Sequence, residues 1–470
     1  MRHLLRCLRQ DPLEIAWEAS REEMGPTYRA SRPGIFGPAP RQAVGVRGRL
    51  RLLGKRGSRA WRRPALLPEA APVVLVASTG NQHAALRAID ARLADTPRLL
   101  LTPDDADRSR GWRHPVPFLL APLALPGVAA AGRRAGAYGR RSFGWAADAY
   151  LHLPGWAWML GRWMRRGGVR AVVIANDHSH STRAWQAAAA LAGVPCVYAQ
   201  HATVMACSPP LAFDAALLDG VDTLERYRAA AARTPPPSFW PAGKRTEAFL
   251  AGPARFDALP RAGAGQRPAA LGVCTNMLDP FASVERLLAA MRTRWPGRTL
   301  RLRPHPRTQG DALAAQHELA ERLGLGFSDA TAEPAAVFLA GVGGLVAGDS
   351  GVLLEAAATG RRVCSFDFGG TTDMYGFIAG GLCPRFTEPA GVVAHLGEDA
   401  DDDADASLVR RHVATAGTPW AGRSAELAAG VVRAVAAREP PAAVWEEDAG
   451  LGDARHRVWR LRAAGAEAAR

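Results

Sequence analysis

The chain has 470 residues, of which 48% are hydrophobic and 22% are charged. This balance is ordinary for a soluble globular protein, and the length leaves room for two domains and extensions. The formal net charge is +15, but only Lys55 and Lys244 are lysines, so nearly all of the positive charge is arginine in an Ala- and Gly-rich sequence. That bias is typical of GC-rich coding, and nucleic acid is therefore not predicted as a partner.

Cysteine placement and the N-terminal segment bear on the cellular compartment. The six cysteines are scattered and none is spaced as CxxC, so neither a metal cluster nor a disulfide framework is predicted, and a reducing cytoplasm fits best. Residues 1–63 hold 15 Arg or Lys against 5 acidic residues. This basic arm is either a solvated terminus or a segment that binds the anionic inner face of a membrane, and both interpretations stay open.

The apolar runs predict neither an export signal nor a membrane span. Near the N-terminus, Asp11 and Glu14 interrupt any apolar core, so no secretory signal is visible. The longest apolar stretch, residues 118–131, contains Pro122 and Pro126. We expect these prolines to break it into pieces too short to cross a bilayer. The sequence thus predicts a cytoplasmic protein, with peripheral attachment to the inner membrane face left open by the basic arm.

From about residue 70 onward, apolar runs that end in turns alternate with helical patterns. Residues 73–78 form the first buried-strand pattern, and residues 84–93 form the helix that follows. The alternation recurs along the chain, so the sequence predicts two consecutive βαβ series and hence parallel sheets. Further strands are predicted at residues 169–175, 196–199, 213–218, 248–250, 270–274, 299–303, 344–347 and 362–366.

Loop composition divides these elements into two domains. The segment 259–268 is rich in Gly, Ala and Pro and is predicted to be the linker. We therefore expect an α/β protein of two Rossmann-like parallel-sheet domains that face a cleft. The predicted division is a basic extension at 1–70, a first domain at 71–258, the linker, a second domain at 269–437 with a late helix that packs back on the first domain, and an extension at 438–470.

A run of prolines and basic residues ends the second strand of the second domain. Arg303, His305 and Arg307 alternate along this extended segment, so their side chains are expected to point the same way. Guanidinium groups suit phosphate oxygens, and ligands of parallel sheets collect where the strands end. The segment therefore predicts a phosphate site, with a solvated turn as the alternative.

Residues 348–355, Gly-Asp-Ser-Gly-Val-Leu-Leu-Glu, predict a helix that starts directly after another strand. Ser350 can cap this helix, and Gly351 lets an anion come close to the helix N-terminus. Glu355 lies one turn further on, where it would bind a ribose hydroxyl. Alone, the segment fits a well-capped helix, but together with the arginine–histidine segment it predicts a nucleotide donor site.

Two strands of the first domain end in polar residues that are able to act in catalysis. Residues 176–180 are Asn-Asp-His-Ser-His, and the next strand ends in Gln-His. If the two strands are neighbours, Asp177, His178 and His201 meet at one edge of the sheet and face the cleft. A carboxylate or imidazole there is a candidate general base for an acceptor hydroxyl. The alternatives are that Asp177 or His178 caps the helix or that Asp177 orients a histidine, and no metal site is predicted.

Four short motifs form an ordered set of landmarks: Tyr198-Ala199-Gln200-His201, Gly252 with Phe256-Asp257, Arg303-Pro304-His305-Pro306, and Asp349-Ser350-Gly351 with Glu355-Ala356. This set resembles the GT-B glycosyltransferases of bacterial surface polysaccharides. The nearest groups are the capsule and lipopolysaccharide transferases and the CDP-glycerol glycerophosphotransferases of teichoic acid synthesis. The resemblance covers about residues 70–380 and implies two Rossmann-like domains that face a cleft.

The resemblance also implies the reaction, which is transfer from a nucleotide sugar or CDP-polyol to a glycan or lipid-linked acceptor. The second domain would bind the donor, and the first would bind the acceptor. The implied donor ligands are Arg303, His305, Arg307, Ser350 and Gly351 for the phosphates and Glu355 for the ribose. The implied base is Asp177, His178 or His201 for an inverting reaction, whereas a retaining reaction can proceed without one, and the sequence leaves both open. Such enzymes usually need no metal or other cofactor, because positive groups stabilise the departing nucleotide phosphate.

Two other functions remain as alternatives. The same loops resemble the non-hydrolysing 2-epimerases of UDP-N-acetylglucosamine, although residues 79–83 are a poor version of the His-rich loop of those enzymes. Gln200-His201 also replaces the acidic segment that those enzymes carry. The third interpretation is a non-catalytic scaffold of a polysaccharide assembly system, which the basic arm supports. Ala202 departs from the transferase pattern, since many relatives have Gly there, and the acidic motif of sialyltransferases is not clearly present.

Overall fold

Two sheets organise the chain, one in each of two α/β units. The computed structural model describes residues 2–16, 45–204, 208–260, 268–277, 279–369, 373–397 and 406–462. Unit 1 comprises the described residues among 2–16, 45–255 and 423–462, and unit 2 comprises those among 256–422. The predicted fold class, an α/β protein with two Rossmann-like sheets, is confirmed. Most of the predicted linker, residues 261–267, lies outside the described residues.

The strands of unit 1 are β1 Val73–Val76, β2 Arg98–Leu101, β3 Ala171–Ile174, β4 Cys196–Ala199, β5 Ala215–Leu218, β6 Thr246–Leu250, β13 Trp445–Glu447 and β14 His456–Leu461. They lie in the order β13-β14-β6-β5-β4-β3-β1-β2, and only the β13–β14 pair is antiparallel. Strands β1, β3, β4 and β5 are buried at every residue, as expected when helices cover both faces of a sheet. The strand order reverses between β1 and β3, and α/β sheets bind ligands at such a switch point.

The strands of unit 2 are β7 Leu271–Cys274, β8 Leu300–Arg303, β9 Gly326–Phe327, β10 Gly344–Ala347, β11 Arg362–Phe366 and β12 Arg385–Phe386. All are parallel, in the order β12-β11-β10-β7-β8-β9. Numbered by appearance, this is the 3-2-1-4-5-6 order of dinucleotide-binding sheets, with its switch point between β7 and β10. Alternating side chains feed two hydrophobic clusters, since Val346 joins one and its neighbours Leu345 and Ala347 join the other.

Helices flank both sheets. The helices of unit 1 are α1 Arg2–Leu8, α2 Pro12–Ala16, α3 Gly45–Arg62, α4 Gly80–Ala91, α5 Ala106–Ser109, α6 Pro115–Arg134, α7 Ala137–Arg166, α8 His180–Ala192, α9 Val221–Arg233 and α16 Ser424–Ala437. Those of unit 2 are α10 Phe281–Arg294, α11 Asp311–Arg322, α12 Ala335–Ala340, α13 Val352–Ala358, α14 Pro389–Gly397 and α15 Ala406–His412.

The described parts of the two terminal segments, residues 2–16, 45–70 and 438–462, differ from the predicted extensions because they are built into unit 1. At the N-terminus, α1, α2 and α3 pack on α7, and the buried Arg183 of α8 donates a hydrogen bond to the Glu14 carbonyl oxygen at 2.9 Å. At the C-terminus, β14 pairs with β6, and the rings of Phe249 and Trp459 stack at 5.9 Å. The late helix α16 packs on α4 and β3, as the sequence indicated.

The expectation that Pro122 and Pro126 break the longest apolar run is wrong, because both lie inside the continuous 20-residue helix α6. Each proline leaves one carbonyl without its helical partner, but both prolines are exposed, so they do not disturb the packed face of the helix. A helix of this length extends about 30 Å. Among the described residues, α6 is the one helix that is long and apolar enough, by length and composition, to cross a bilayer.

Trp445 tests the contribution of the C-terminal strands to unit 1. Its side chain is 4% exposed and packs edge-on against Phe249 at 5.1 Å. We expect Trp445→Ala to lower the free energy of unfolding by about 3 kcal/mol, because it leaves a cavity against β6. Trp61→Ala is the matched control, since that indole is 66% exposed and its loss should cost less than about 0.5 kcal/mol. Equal urea midpoints for the two variants would contradict a structural role for β13.

Candidate active site

The loop after β3, at the switch point of unit 1, is shaped by Asn176. Its side-chain oxygen accepts the backbone N–H bonds of His178 at 3.0 Å and Ser179 at 2.6 Å. Asn176 thus satisfies backbone donors in the turn directly before α8, as asparagine side chains do in turns. The side chains of Asp177 and His178 bond to each other instead, so the interpretation of either residue as the helix cap is set aside.

Asp177 and His178 form a carboxylate–imidazole pair. The His178 Nδ1–H group donates to Asp177 Oδ1 at 2.7 Å, and the Tyr227 hydroxyl donates to Asp177 Oδ2 at 2.7 Å. The carboxylate is buried, whereas 36% of the His178 side chain is exposed. With Nδ1 as the donor, Nε2 carries the lone pair and accepts from the Asn176 amide at 3.3 Å. A buried carboxylate that fixes the tautomer of a partly exposed histidine is the arrangement of a general base.

Opposing effects set the charge of Asp177. Burial alone would raise its pKa, but the hydrogen bond and the close imidazole of His178, followed by the hydrogen bond from Tyr227, hold the pKa below its ordinary value. The carboxylate is therefore ionised at neutral pH. Tyr227 keeps its proton, because burial, followed by the nearby Asp177, raises its pKa well above the usual value.

His201 lies beside this pair. The predicted adjacency of the two strands is confirmed, since β3 and β4 are parallel neighbours with Ile174 opposite Tyr198. Burial lowers the pKa of His201 to about 4, although Asp177 opposes the effect, so its ring is neutral at pH 7. The ring bonds to the backbone of Ala175, and its Nδ1 atom is buried without a hydrogen-bond partner among the described residues. His201 therefore offers an unused acceptor next to the Asp177–His178 pair.

A second buried carboxylate follows β5. Asp219 accepts two hydrogen bonds from the Arg255 guanidinium, at 2.7 and 3.2 Å. Its backbone N–H donates to the side chain of Gln200 at 2.8 Å, which links the ends of β4 and β5. Burial raises the pKa of Asp219, and the ion pair with Arg255 works against that rise. The Gln200-His201 motif is thus held on one side by Asp219 and placed on the other beside Asp177.

Sequence reasoning missed Tyr227 and the Asp219–Arg255 pair as parts of this site. Tyr227 lies 50 residues from Asp177, and Arg255 lies 36 residues from Asp219. No local pattern joins such residues. The one available signal was position, because Asp219 follows a predicted strand in the same way as Asp177 does.

In unit 2, the expectation that Arg303, His305 and Arg307 point the same way is wrong. Arg303 is buried, His305 is half-buried and Arg307 is exposed. The Arg303 guanidinium donates to Ser328 Oγ at 2.7 Å and to the Glu333 carbonyl oxygen at 2.9 Å. It also lies over the Phe338 ring at 5.1 Å. Arg303 therefore joins β8 to the loop and helix that follow β9, and its guanidinium points into the unit.

His305 keeps a free nitrogen in this loop. The backbone N–H of Arg307 donates to His305 Nδ1 at 3.1 Å, so the neutral ring carries its proton on Nε2. Burial, followed by the charge of Arg307, lowers the pKa of His305, which keeps the ring neutral at pH 7. An Nε2–H donor beside an exposed guanidinium is suited to phosphate oxygens.

The loop after β10 places Ser350, Gly351 and Glu355 at the other side of β7. The Ser350 hydroxyl accepts a long hydrogen bond of 3.5 Å from the Val352 N–H group, so it caps α13 weakly. Gly351 has an ordinary φ of −59°, and a Cβ atom there would meet nothing within 4 Å, which leaves open space in front of the helix. Glu355 is half-buried. Burial raises the pKa of the Cys274 thiol at the end of β7, and the charges of Arg303 and Glu355 act on that pKa in opposite directions, which places both side chains near β7. The predicted donor residues thus gather around β7, with Arg303 turned inward.

No protein-family model matches this chain, and no curated protein matches it. Solved structures do. A putative UDP-N-acetylglucosamine 2-epimerase from Listeria monocytogenes matches 78% of this chain with 96% of its own, at 12% identity and a TM-score of 0.46. A UDP-GlcNAc 2-epimerase from Neisseria meningitidis bound to UDP-GlcNAc matches 78% of this chain with 100% of its own, at 9% identity and a TM-score of 0.46. The wall teichoic acid polymerase TagF matches 83% with 95%, at 12% identity and a TM-score of 0.45.

The fold that the motifs predicted is confirmed by the chain itself, which carries two doubly wound α/β units. Because the identities are at most 12%, the function of this chain has to be argued from its own residues.

His201 predicts a specific pH dependence of stability. The unfolded chain protonates this histidine near its ordinary pKa of 6.5, whereas the folded chain does so only at about 4. The free energy of unfolding should therefore fall as the pH falls from 6.5 to 4. His201→Gln should flatten part of that slope, because the other histidines whose pKa burial lowers still contribute: His3, His114, His152, His305 and His456. His317→Gln, which removes a half-exposed ring, is the control, and urea unfolding across this pH range is the measurement. An unchanged slope in the His201 variant would contradict its burial.

Proposed function

We propose that the chain is a transferase that moves a sugar or a polyol phosphate from a nucleotide-activated donor to a surface-polysaccharide acceptor. Unit 1 binds the acceptor, and unit 2 binds the donor. The observation that carries this proposal is the Asp177–His178 pair, because its base-competent nitrogen lies on a partly exposed ring at the switch point of unit 1. The motif resemblance to GT-B transferases supports the same assignment.

The proposed step uses His178 as the general base. His178 Nε2 exchanges its long hydrogen bond from the Asn176 amide for one from the acceptor hydroxyl. It then takes the hydroxyl proton while that oxygen bonds to the anomeric carbon or the phosphorus of the donor. The bond to the nucleotide phosphate breaks, and its electron pair leaves with the nucleotide. Asp177 stabilises the imidazolium that forms, since its carboxylate accepts the Nδ1–H bond throughout. Tyr227 holds the other carboxylate oxygen and so fixes the orientation of the pair.

Unit 2 supplies the donor contacts in this proposal. His305 donates from Nε2 to a donor phosphate, and Arg307 adds positive charge that stabilises the departing nucleotide without a metal. Glu355 receives the ribose, and the open space at Gly351 admits a phosphate. Arg303 acts indirectly, because its hydrogen bonds to Ser328 and Glu333 hold the strand end from which His305 projects.

The base is tested by substitutions graded by their distance from the reacting proton. We expect Asp177→Asn and His178→Asn to lower kcat by about 100-fold or more. Tyr227→Phe should have a smaller effect, because it removes one hydrogen bond to Asp177 and leaves the imidazole in place. The KM for the donor should be unchanged in all three variants, and nucleotide release in single-turnover assays is the readout. Wild-type kcat in folded Asp177→Asn protein would overturn the assignment of the base.

The donor site is tested by thermal shift with CMP, CDP, UDP, GDP and their sugar or polyol conjugates. A ligand that binds only the folded state raises Tm in proportion to affinity and concentration. We expect a shift with one nucleotide class that His305→Ala abolishes, whereas His317→Ala, on α11 of the same unit, keeps it. No shift with any nucleotide would contradict a donor site. If the protein converted UDP-GlcNAc to its C2 epimer without an acceptor, the transferase assignment would be wrong and the epimerase assignment would take its place.

A further inference from the structure

The exposed face of α6 is apolar along almost its whole length. Residues 115–132 contain no charged side chain. Leu119, Leu123 and Leu125 are 60%, 54% and 51% exposed, and Pro122 and Pro126 lie exposed between them. The opposite face is buried through small side chains such as Ala121 and Ala124. A surface helix of a soluble protein normally turns polar residues outward, so an exposed leucine stripe of this length is a candidate interaction surface.

The neighbouring helix α3 carries the complementary feature, a stripe of positive charge. Its 18 residues include seven Arg or Lys and no acidic residue. Arg47, Arg51, Lys55 and Arg59 are exposed and recur every fourth residue, so they lie on one side of the helix. The exposed Trp61 follows at its C-terminal end. A basic helix with an aromatic residue at its edge is typical of segments that bind anionic lipid headgroups.

The two helices are fixed side by side. The Arg56 guanidinium lies 4.1 Å over the Trp112 ring and pairs with the buried Asp148 of α7, and Arg49 reaches the same carboxylate at 3.8 Å. Gly57 of α3 lies against Phe118 of α6, because a Cβ atom at Gly57 would meet that ring at 3.3 Å. The inward arginines anchor α3, and the outward ones stay available for a partner.

A cavity of about 620 Å³ opens at the start of α6. Its lining includes Val116 of α6, Trp158 and Trp163, with Arg162 and Arg166 beside them. Tryptophan and arginine together are the side chains that collect at the boundary between lipid tails and headgroups. The lining also contains Glu69, so the cavity extends the surface at one end of the helix with tryptophan and charged side chains, whereas the leucine stripe itself is uncharged.

We propose that α3 and α6 form the face by which the protein lies on an anionic bilayer. The leucine stripe enters the boundary between headgroups and acyl chains, and the basic stripe pairs with lipid phosphates. The helix α6 lies in the plane of the membrane and does not cross it, because its buried face packs along α7, whose Tyr150, Trp156 and Leu160 belong to the core of unit 1. This inference is independent of the proposed reaction.

Vesicle cosedimentation tests the face with two variants of exposed residues. One is the triple variant Leu119→Gln, Leu123→Gln and Leu125→Gln, and the other is the quadruple variant Arg47→Gln, Arg51→Gln, Lys55→Gln and Arg59→Gln. We expect the wild-type chain to bind phosphatidylglycerol–phosphatidylcholine vesicles more tightly than pure phosphatidylcholine and to dissociate as salt rises. Each variant should bind the anionic vesicles at least about tenfold more weakly than the wild type does. The control carries Val337→Gln, Arg286→Gln and Arg322→Gln in unit 2, all at exposed positions, and should bind like wild type.

Thermal unfolding and the nucleotide thermal shift distinguish a loss of membrane binding from misfolding and from a loss of the donor site. All three variants should melt like wild type, because they change exposed side chains, and any nucleotide shift should persist in them. Equal vesicle binding by the triple variant and wild type would overturn the proposal. A second outcome would also overturn it. In that case the wild-type chain does not bind vesicles, and sedimentation velocity shows a dimer of the wild type that the triple variant does not form, because the leucine stripe would then join two copies.

Discussion

The buried carboxylate of Asp177 is the constraint on which the first unit depends. A charge taken out of water is tolerated only where other groups compensate it. Here the compensation comes chiefly from two hydrogen bonds, one from His178 after β3 and one from the Tyr227 hydroxyl on α9. The two bonds hold the end of β3 and helix α9 in one arrangement. The same requirement leaves the outer nitrogen of His178 facing away from the carboxylate.

Unit 2 uses a buried cation in a comparable way. Arg303 places its guanidinium on Ser328, Glu333 and Phe338, and so ties the end of β8 to the segment after β9. The loop that follows is stiffened by prolines and by the bond from the Arg307 N–H group to His305. In both units, then, the buried ionic group is the structural one, and a half-exposed imidazole next to it is the group able to meet a substrate. The sign of the buried charge differs, and so does the tautomer of the histidine: His178 turns an acceptor outward, whereas His305 turns a donor outward.

The sequence predicted the features that depend on local pattern. Short apolar runs located nine of the fourteen strands that the described residues form, and the polar residues at strand ends predicted that the segments of Asp177, His178 and His201 follow neighbouring strands. It failed where distant residues decide. The direction of Arg303 depends on Ser328 and Glu333, which lie 25 and 30 residues away, and alternation along the strand could not reveal them. The prolines of α6 are another case in which distant residues decide. The cost of each proline to the stability of the helix depends on whether the packing of the unit turns it toward the core or the surface. The strand β14 was missed because its arginines obscure the alternation of buried His456 and Val458.

The membrane face and the candidate base belong to the same unit, although separate observations led to each. The base follows from a buried carboxylate at the switch point, and the membrane face follows from exposed leucines and arginines on α3 and α6. An acceptor that carries a lipid anchor is confined to the bilayer surface, whereas a nucleotide donor diffuses in solution. A transferase with this division of labour needs only its acceptor unit to be held at the membrane. Two features hold a protein at a membrane surface, an apolar stripe and a basic stripe. In this chain both lie on unit 1, since α6 has no charged residue over 18 positions and the adjacent α3 carries the basic stripe.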